Sequence, residues 1–219
     1  VKELKLDSLK IESGSFVDPD LREKHSDLLM SAELAQPESG KYSRALVYLL
    51  FEHKSEPDPL TVLQLLSYIL RIWEMQARER GKLSPIIPLV VYHGERGWTA
   101  AREIADLIAA PEAIAAYQVQ FGLPLLDLSQ LTDQQISGEP LLQGVLQLLK
   151  YSRSEQLPWK LREILGILST ELKSGGADSW IQAIAVYVMS VNKQISSDEF
   201  GEVVRSVWPT QIEPGSLAD

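Results

Sequence analysis

A chain of 219 residues with 45% hydrophobic and 23% charged residues can bury a sizeable core, is too apolar for a disordered segment, and is too short for a multidomain machine. Cysteine is absent, which removes disulfides, thiolate zinc sites, iron–sulfur clusters and cysteine nucleophiles. The net charge of −9 gives no overall positive field; residues 1–98 hold 13 Lys and Arg against 15 Asp and Glu, the remainder 8 against 15, so a polyanion would be met by the first half.

In chain order, Leu4–Ser13 alternates apolar and polar residues at Leu4, Leu6, Leu9 and Ile11 with one slip before Gly14, predicting a strand with a bend. His25–Leu34 and Lys41–Lys54 are strand-like runs joined by Gln36–Gly40, a loop with turn chemistry, and predict a hairpin. Asp58 and Pro59 supply an N-cap and a first-turn proline, and Leu60–Arg80 continues at helical spacing. Its Leu63, Leu66, Leu70 and Trp73 are expected to pack on a sheet. Ile86–Tyr92 reads as a buried strand parallel to the one before the helix. Short helices are expected at Thr99–Leu107 and Pro111–Tyr117, a strand at Val119–Leu128, and three or four amphipathic helices between Gln134 and Val207. The domain reading is an α/β core over 1–130, a helical extension over 131–208 and a loose tail at 209–219.

No apolar run approaches the roughly 20 residues that span a bilayer, so no membrane span is expected. The N-terminus has neither a signal-peptide pattern nor an initiator Met, which predicts processing or truncation upstream and a cytoplasmic location. Phosphate-binding and dinucleotide loops, His-Glu-x-x-His and Gly-x-Ser-x-Gly are missing. The histidines His25, His53 and His93 are too scattered for a helical zinc pair.

Charge stands where strands should be apolar. The run Leu46–Phe51 ends in Glu52 and Lys54, two residues apart and therefore on one strand face at about 7 Å. On the neighbouring hairpin strand Asp27 sits at the edge of another apolar stretch, where it can lie beside Glu52. Two carboxylates in one small region repel unless a cation bridges them, and Mg²⁺ is commonly held by one or two carboxylates plus water. An adjacent Lys54 can orient the attacking water and stabilise charge on a phosphoryl group. The same spacing also serves as a solvated salt bridge at a strand end.

The string Ser15–Leu29, then Tyr48–Ser55 with Pro57 and Asp58, Leu63–Leu66 with Tyr68, Arg71–Glu74, and Ile87–Gly94 with Trp98 resembles the recombination-promoting nuclease family, whose members are also described as transposases. The resemblance is dense over about residues 10–150 and loose beyond. It implies a PD-(D/E)XK, restriction-endonuclease-like α/β core, a mixed sheet flanked by helices, with a helical C-terminal half. It further implies a Mg²⁺- or Mn²⁺-dependent DNA endonuclease with Asp27 and Glu52 as metal-binding carboxylates and Lys54 as catalytic lysine. Gln64 is expected to support the site, and with Tyr68 and Arg71 it forms a polar stripe at helical spacing, which a solvated face would explain equally well. Tyr92, His93 and Trp98 also match the family; strand-end packing is the expected role. Such proteins usually carry a helix upstream of the first strand, so weak or no cleavage by these 219 residues alone is expected, restored on adding that segment.

Phosphate contacts are expected from Arg22, Lys24, Lys54, Arg71, Arg78, Arg80 and Lys82, the last three of which also suit a helix C-terminus. The alternative is a catalytically silent nuclease-fold interaction module that uses its acidic helical half to bind proteins, and a homodimer is one assembly the sequence leaves open. A glycosidase has little support, given the Lys beside the acid pair and 7% aromatic residues.

Overall fold

The computed structural model describes residues 4–11, 26–34, 44–52, 57–79, 81–171 and 177–208, and for 6, 26–28, 44–52 and 177 the backbone alone. It divides into two compact units, one formed by Val1–Tyr92 and Trp98–Asp127, the other by His93–Gly97 and Leu128–Asp219. No helix among the described residues is long and apolar enough to cross a membrane.

The first unit is built on a mixed five-stranded sheet in sequential order, β1 (Leu4–Ile11), β2 (Ser26–Leu34), β3 (Arg44–Glu52), β4 (Ile86–Tyr92) and β5 (Leu125–Asp127). The first three pair antiparallel, as a hairpin requires; β3, β4 and β5 run parallel, as a crossover requires. The loop expected at Gln36–Gly40 and the bend at Gly14 lie outside the described residues. The slip in the alternation of β1 coincides with a register shift between Lys5 and Lys10. There the Ser8 hydroxyl accepts a hydrogen bond from Glu33 N at 2.7 Å and donates to Lys5 O at 2.6 Å, giving the interrupted ladder a side-chain substitute.

Helix α1 (Thr61–Arg78) crosses from β3 to β4. It starts later than the sequence suggests: Asp58 Oδ1 accepts from Leu60 N at 2.9 Å and Asp58 O from Thr61 N at 3.0 Å, so Pro59 lies in the entry turn instead of the first helical position. Its buried side is Thr61, Val62, Leu65, Tyr68, Ile69 and Ile72. Val62, Leu65, Tyr68 and Ile72 pack with Leu29 of β2 and Val90 of β4. The expected face was misplaced, since Leu63 and Leu70 are each 47% exposed. The helix is apolar on both sides, so periodicity fixes the helix and not its rotation. Trp73 is half-buried and donates Nε1 to Ser84 O at 2.8 Å. Trp73→Ala should therefore cost about 2 kcal/mol, one hydrogen bond plus part of an indole's burial, instead of the larger loss of a fully buried ring. Chemical denaturation against wild type measures it, and a loss under about 0.5 kcal/mol would show that the contact carries no stability.

Beyond β4 the expected elements contract. The strand read over Val119–Leu128 is only β5, because Pro124 has no amide to give and Gly122 forms an isolated bridge with Glu103. The two short helices shrink to a 3₁₀ turn, Ile104–Leu107, and α2 (Glu112–Ala115). Tertiary hydrogen bonds hold this stretch where helix nucleation is costly: Ile104 N donates to Phe121 O, and Leu123 N to Arg102 O, both at 2.9 Å.

The second unit carries four helices, α3 (Pro140–Tyr151), α4 (Leu157–Glu171), α5 (Ala177–Val191) and α6 (Ser197–Val207). Leu157, Leu161, Ile164, Leu165 and Leu168 give α4 a continuous buried stripe against Leu148 of α3, Ile184 and Val188 of α5, and Phe200 and Val204 of α6. The start of α6 is a capping box, Glu199 N donating to Ser196 Oγ while Ser196 N donates to Glu199 Oε2, which holds the Glu199 carboxyl below its ordinary pKa. The close packing of α3 on α4 depends on Gly144, where a Cβ would stand 2.6 Å from Leu168 Cγ and Cδ2. Gly144→Ala gains about 1 kcal/mol of helix propensity but overpacks a fully buried Leu at about 1–3 kcal/mol, so a net loss of about 1 kcal/mol is expected in a denaturant melt. A stabilised variant would mean that Leu168 can swing aside at no cost.

Candidate active site at the carboxyl ends of the parallel strands

In open α/β sheets ligands bind beyond the carboxyl ends of the strands. Here those ends are defined by register: Glu52 of β3 is level with Tyr92 of β4, and Tyr92 is level with Asp127 of β5. Because β2 runs the other way, its first residues reach the same end, and Asp27 is opposite Leu50. Asp27 and Glu52 thus occupy diagonal positions on neighbouring strands, about 7–8 Å apart, and their even spacing through Leu50 assigns both to one face of the pleat. That face is the one carrying Leu29 and Val90, against which α1 packs. The side chains of Asp27 and Glu52 are beyond what is described, and Lys54, His25 and His53 lie outside the described residues.

Helix α1 is the next described element after β3, and its Val62 and Leu65 pack with Leu29 and Val90 on that face. Gln64 is half-buried, and its Nε2 donates to Asp58 Oδ2 at 3.3 Å. The polar stripe expected from Gln64, Tyr68 and Arg71 is not one face: Tyr68 is in the core at 8% exposure and Arg71 is exposed. A tyrosine can present a polar tip and still bury its ring, and the sequence pattern weighed only the tip.

Tyr92 and His93 are buried, and Trp98 meets the Tyr92 ring edge-on at 5.2 Å between centroids. Trp98 Nε1 donates to Ala100 O at 2.8 Å. Trp98 and Tyr92 therefore pack the strand end, as expected from the sequence. Asp127 was missed. Its Oδ2 accepts from Trp98 N at 2.9 Å, and the signal was available: like Glu52, it is an acid closing an apolar run, Leu125-Leu126-Asp127. Among the described residues no group of three or more His, Asp or Glu is assembled as a metal site.

Residues 1–177 match the family model described as "Putative transposase, YhgA-like". The chain belongs to this family. It is 28% identical over 215 residues to the recombination-promoting nuclease RpnD of Escherichia coli O157:H7, covering 95% of this chain and 77% of that protein. It is 25% identical over 208 residues to the recombination-promoting nuclease RpnA of Escherichia coli strain K12, covering 94% and 68%. The inactive recombination-promoting nuclease-like protein RpnE of the same strain is 22% identical over 210 residues, covering 95% and 67%. The relatives of this chain thus include proteins named as nucleases and one named inactive. No solved structure matches the chain.

Proposed function

We propose that this member of the YhgA-like family is a divalent-metal-dependent DNA endonuclease with a PD-(D/E)XK core, acting in the cytoplasm. The observation that carries the reading is the register of β2 on β3, which gives Asp27 and Glu52 diagonal positions on one sheet face, the face that α1 packs against. Two carboxylates so spaced form a hard oxygen donor set that suits Mg²⁺ or Mn²⁺ and would leave the remaining positions to water and a phosphate oxygen. When bound, the metal would supply Lewis acidity at the phosphodiester and a more acidic water. Lys54, two residues beyond Glu52, contributes positive charge where the phosphoryl group gains negative charge, and orients the attacking water. Gln64 offers a polar amide at the start of α1, steadied by Asp58. Relatives named as recombination-promoting nucleases support DNA as the substrate.

The experiment is a calorimetric titration with Mg²⁺ and Mn²⁺ alongside cleavage of supercoiled and linear DNA, with and without EDTA. Metal binding is the expected result, with EDTA-sensitive cleavage that is weak in these 219 residues alone and stronger when the helix its family carries upstream of the first strand is supplied. Because a relative named inactive aligns over 95% of the chain, the second reading is a catalytically silent interaction module of the same fold. Absence of both metal binding and cleavage would put that reading in front.

A further inference from the structure

The helical unit contains an open cleft of about 730 Å³, within the size range of small-ligand sites. One wall holds Trp159, a residue of α4 left 78% exposed when large aromatics are ordinarily covered. Arg153 also lines the cleft; its Nε is sealed from solvent, so a ligand would meet the remainder of its guanidinium. Gln156 and Gln194 add amides that both donate and accept, and Glu95 and Glu155 add two carboxylates.

These groups select against simple ligands. A free phosphate would meet Arg153 but also two carboxylates; an apolar molecule would cover Arg153 without giving it an acceptor. Lys150, the other cation of the lining, is already committed to Asp133 Oδ1 and Leu131 O, each at 2.8 Å. A ligand with a flat aromatic face, N–H donors and one anionic group uses the whole set. The turn that presents Arg153 is fixed, since Asn192 Nδ2 donates to Ser152 O at 3.1 Å and to Ser154 O at 3.3 Å, and Tyr187 Oη donates to Ser152 Oγ at 3.2 Å. Pre-organisation of this kind lowers the cost of binding.

We propose that the cleft of the helical unit is a site for an unpaired nucleotide, with the base stacked on Trp159, its N–H donors on Glu95 and Glu155, and its phosphate on Arg153. The choice of a DNA strand as the source of that nucleotide rests on the nuclease reading; the nucleotide chemistry does not. Exposed aromatic platforms beside an arginine are the usual means of holding single strands without strong sequence preference. The strand would then be gripped by a surface that needs neither Asp27 nor Glu52.

The test is fluorescence anisotropy of a labelled single-stranded 12-mer with the full chain in EDTA, where hydrolysis does not intervene, against Trp159→Ala, Trp159→Phe, Arg153→Gln and an abasic strand of equal length. Loss of one base stack should weaken binding about tenfold or more in Trp159→Ala, with most of it retained in Trp159→Phe. Arg153→Gln should weaken binding and lower the salt slope by about 1, and the abasic strand should bind as poorly as Trp159→Ala. Competition by dAMP that depends on the same two residues, with no tighter binding of the strand, would assign a free nucleotide as the ligand. Equal binding of the abasic strand, or no effect of either Trp159→Ala or Arg153→Gln, overturns the proposal. Since the readout is binding without metal, a chain that never cleaves DNA leaves this result intact, and a cleaving chain with an indifferent cleft refutes the cleft alone.

Discussion

Asp27→Ala should reduce Mg²⁺-dependent DNA cleavage by about 10³-fold or more and weaken Mg²⁺ binding in the same experiment. A bound cation would bring several kcal/mol of transition-state stabilisation to the phosphodiester, and each 1.36 kcal/mol is a factor of ten in rate. A cation short of one of two protein carboxylates loses both affinity and placement. Lys54→Ala should separate the two effects. An ammonium two residues beyond Glu52 in the sequence would act on developing charge, so cleavage should fall by about 10²–10³-fold while Mg²⁺ affinity is kept. Plasmid nicking rates and calorimetric metal titration on wild type and both variants provide the comparison, with circular dichroism confirming that each is folded. Indistinguishable cleavage by all three proteins would remove these residues from catalysis.

The second large effect concerns stability. Asp133 lies in the connection before α3, and its carboxylate is met from three sides: Oδ1 accepts from Lys150 Nζ at 2.8 Å and Tyr151 Oη at 2.7 Å, and Oδ2 from Lys160 Nζ at 2.8 Å. The two lysines come from different helices, α3 and α4, so one acid ties the pair together. Burial pushes the Asp133 pKa up, yet the hydrogen bonds from Lys150, Lys160 and Tyr151 outweigh it and hold the carboxyl well below the usual range. Asp133→Asn leaves the Lys150 ammonium without its counter-charge, while Lys160 keeps only Glu163 Oε2 at 2.9 Å. For a fully buried network that costs about 3–5 kcal/mol; the lysines here keep some solvent, so about 2–3 kcal/mol is expected in chemical denaturation.

The sign of its pH dependence follows from the direction of each shift. A depressed carboxylate stabilises the fold above its unfolded pKa, near 3.8, and that contribution drains as pH falls through the lower folded value. Lys160 is raised by its bonds to Asp133 and Glu163, and Lys150 is raised by Asp133 against the opposing pull of burial. Their contribution is complete below the unfolded lysine pKa of 10.5 and is lost as pH rises through the higher folded values. The difference between wild type and Asp133→Asn should therefore be flat across neutral pH and shrink at both acidic and strongly alkaline ends. A difference that grows below pH 4 would contradict the assignment.

Asp133 also illustrates what a sequence hides. Its partners are 17, 18 and 27 residues away, and an Asp in a polar loop carries no local mark of them. The hairpin, α1, β4 and the four C-terminal helices were legible because hydrophobic period and turn residues act over a few neighbours. The rotation of α1 was not, because Leu63 and Leu70 look as buried in the sequence as Leu65 and Ile69 are in the fold. The strand over Val119–Leu128 was read too long for a related reason: its apolar content is real, but Pro124 and Gly122 divide it between a ladder, a bridge and a loop. At the candidate site, Asp27 and Glu52 were noticed as charges out of place in apolar runs. Asp127 sends the same signal and becomes conspicuous only once register aligns it with Tyr92 and Glu52.

Among the described residues the sheet ends in two strands that are unsuited to growth by addition. On one side β1 breaks step with β2 between Lys5 and Lys10, and Lys5, Asp7 and Lys10 are exposed along it. On the other, β5 offers only three residues. A further strand arriving at β1 would meet a kinked backbone and charged side chains, and one arriving at β5 would find too few free peptide groups to hold it. Both borders of the sheet therefore act against runaway edge-to-edge stacking of copies at high concentration, which leaves side-chain surfaces as the basis for any specific self-association.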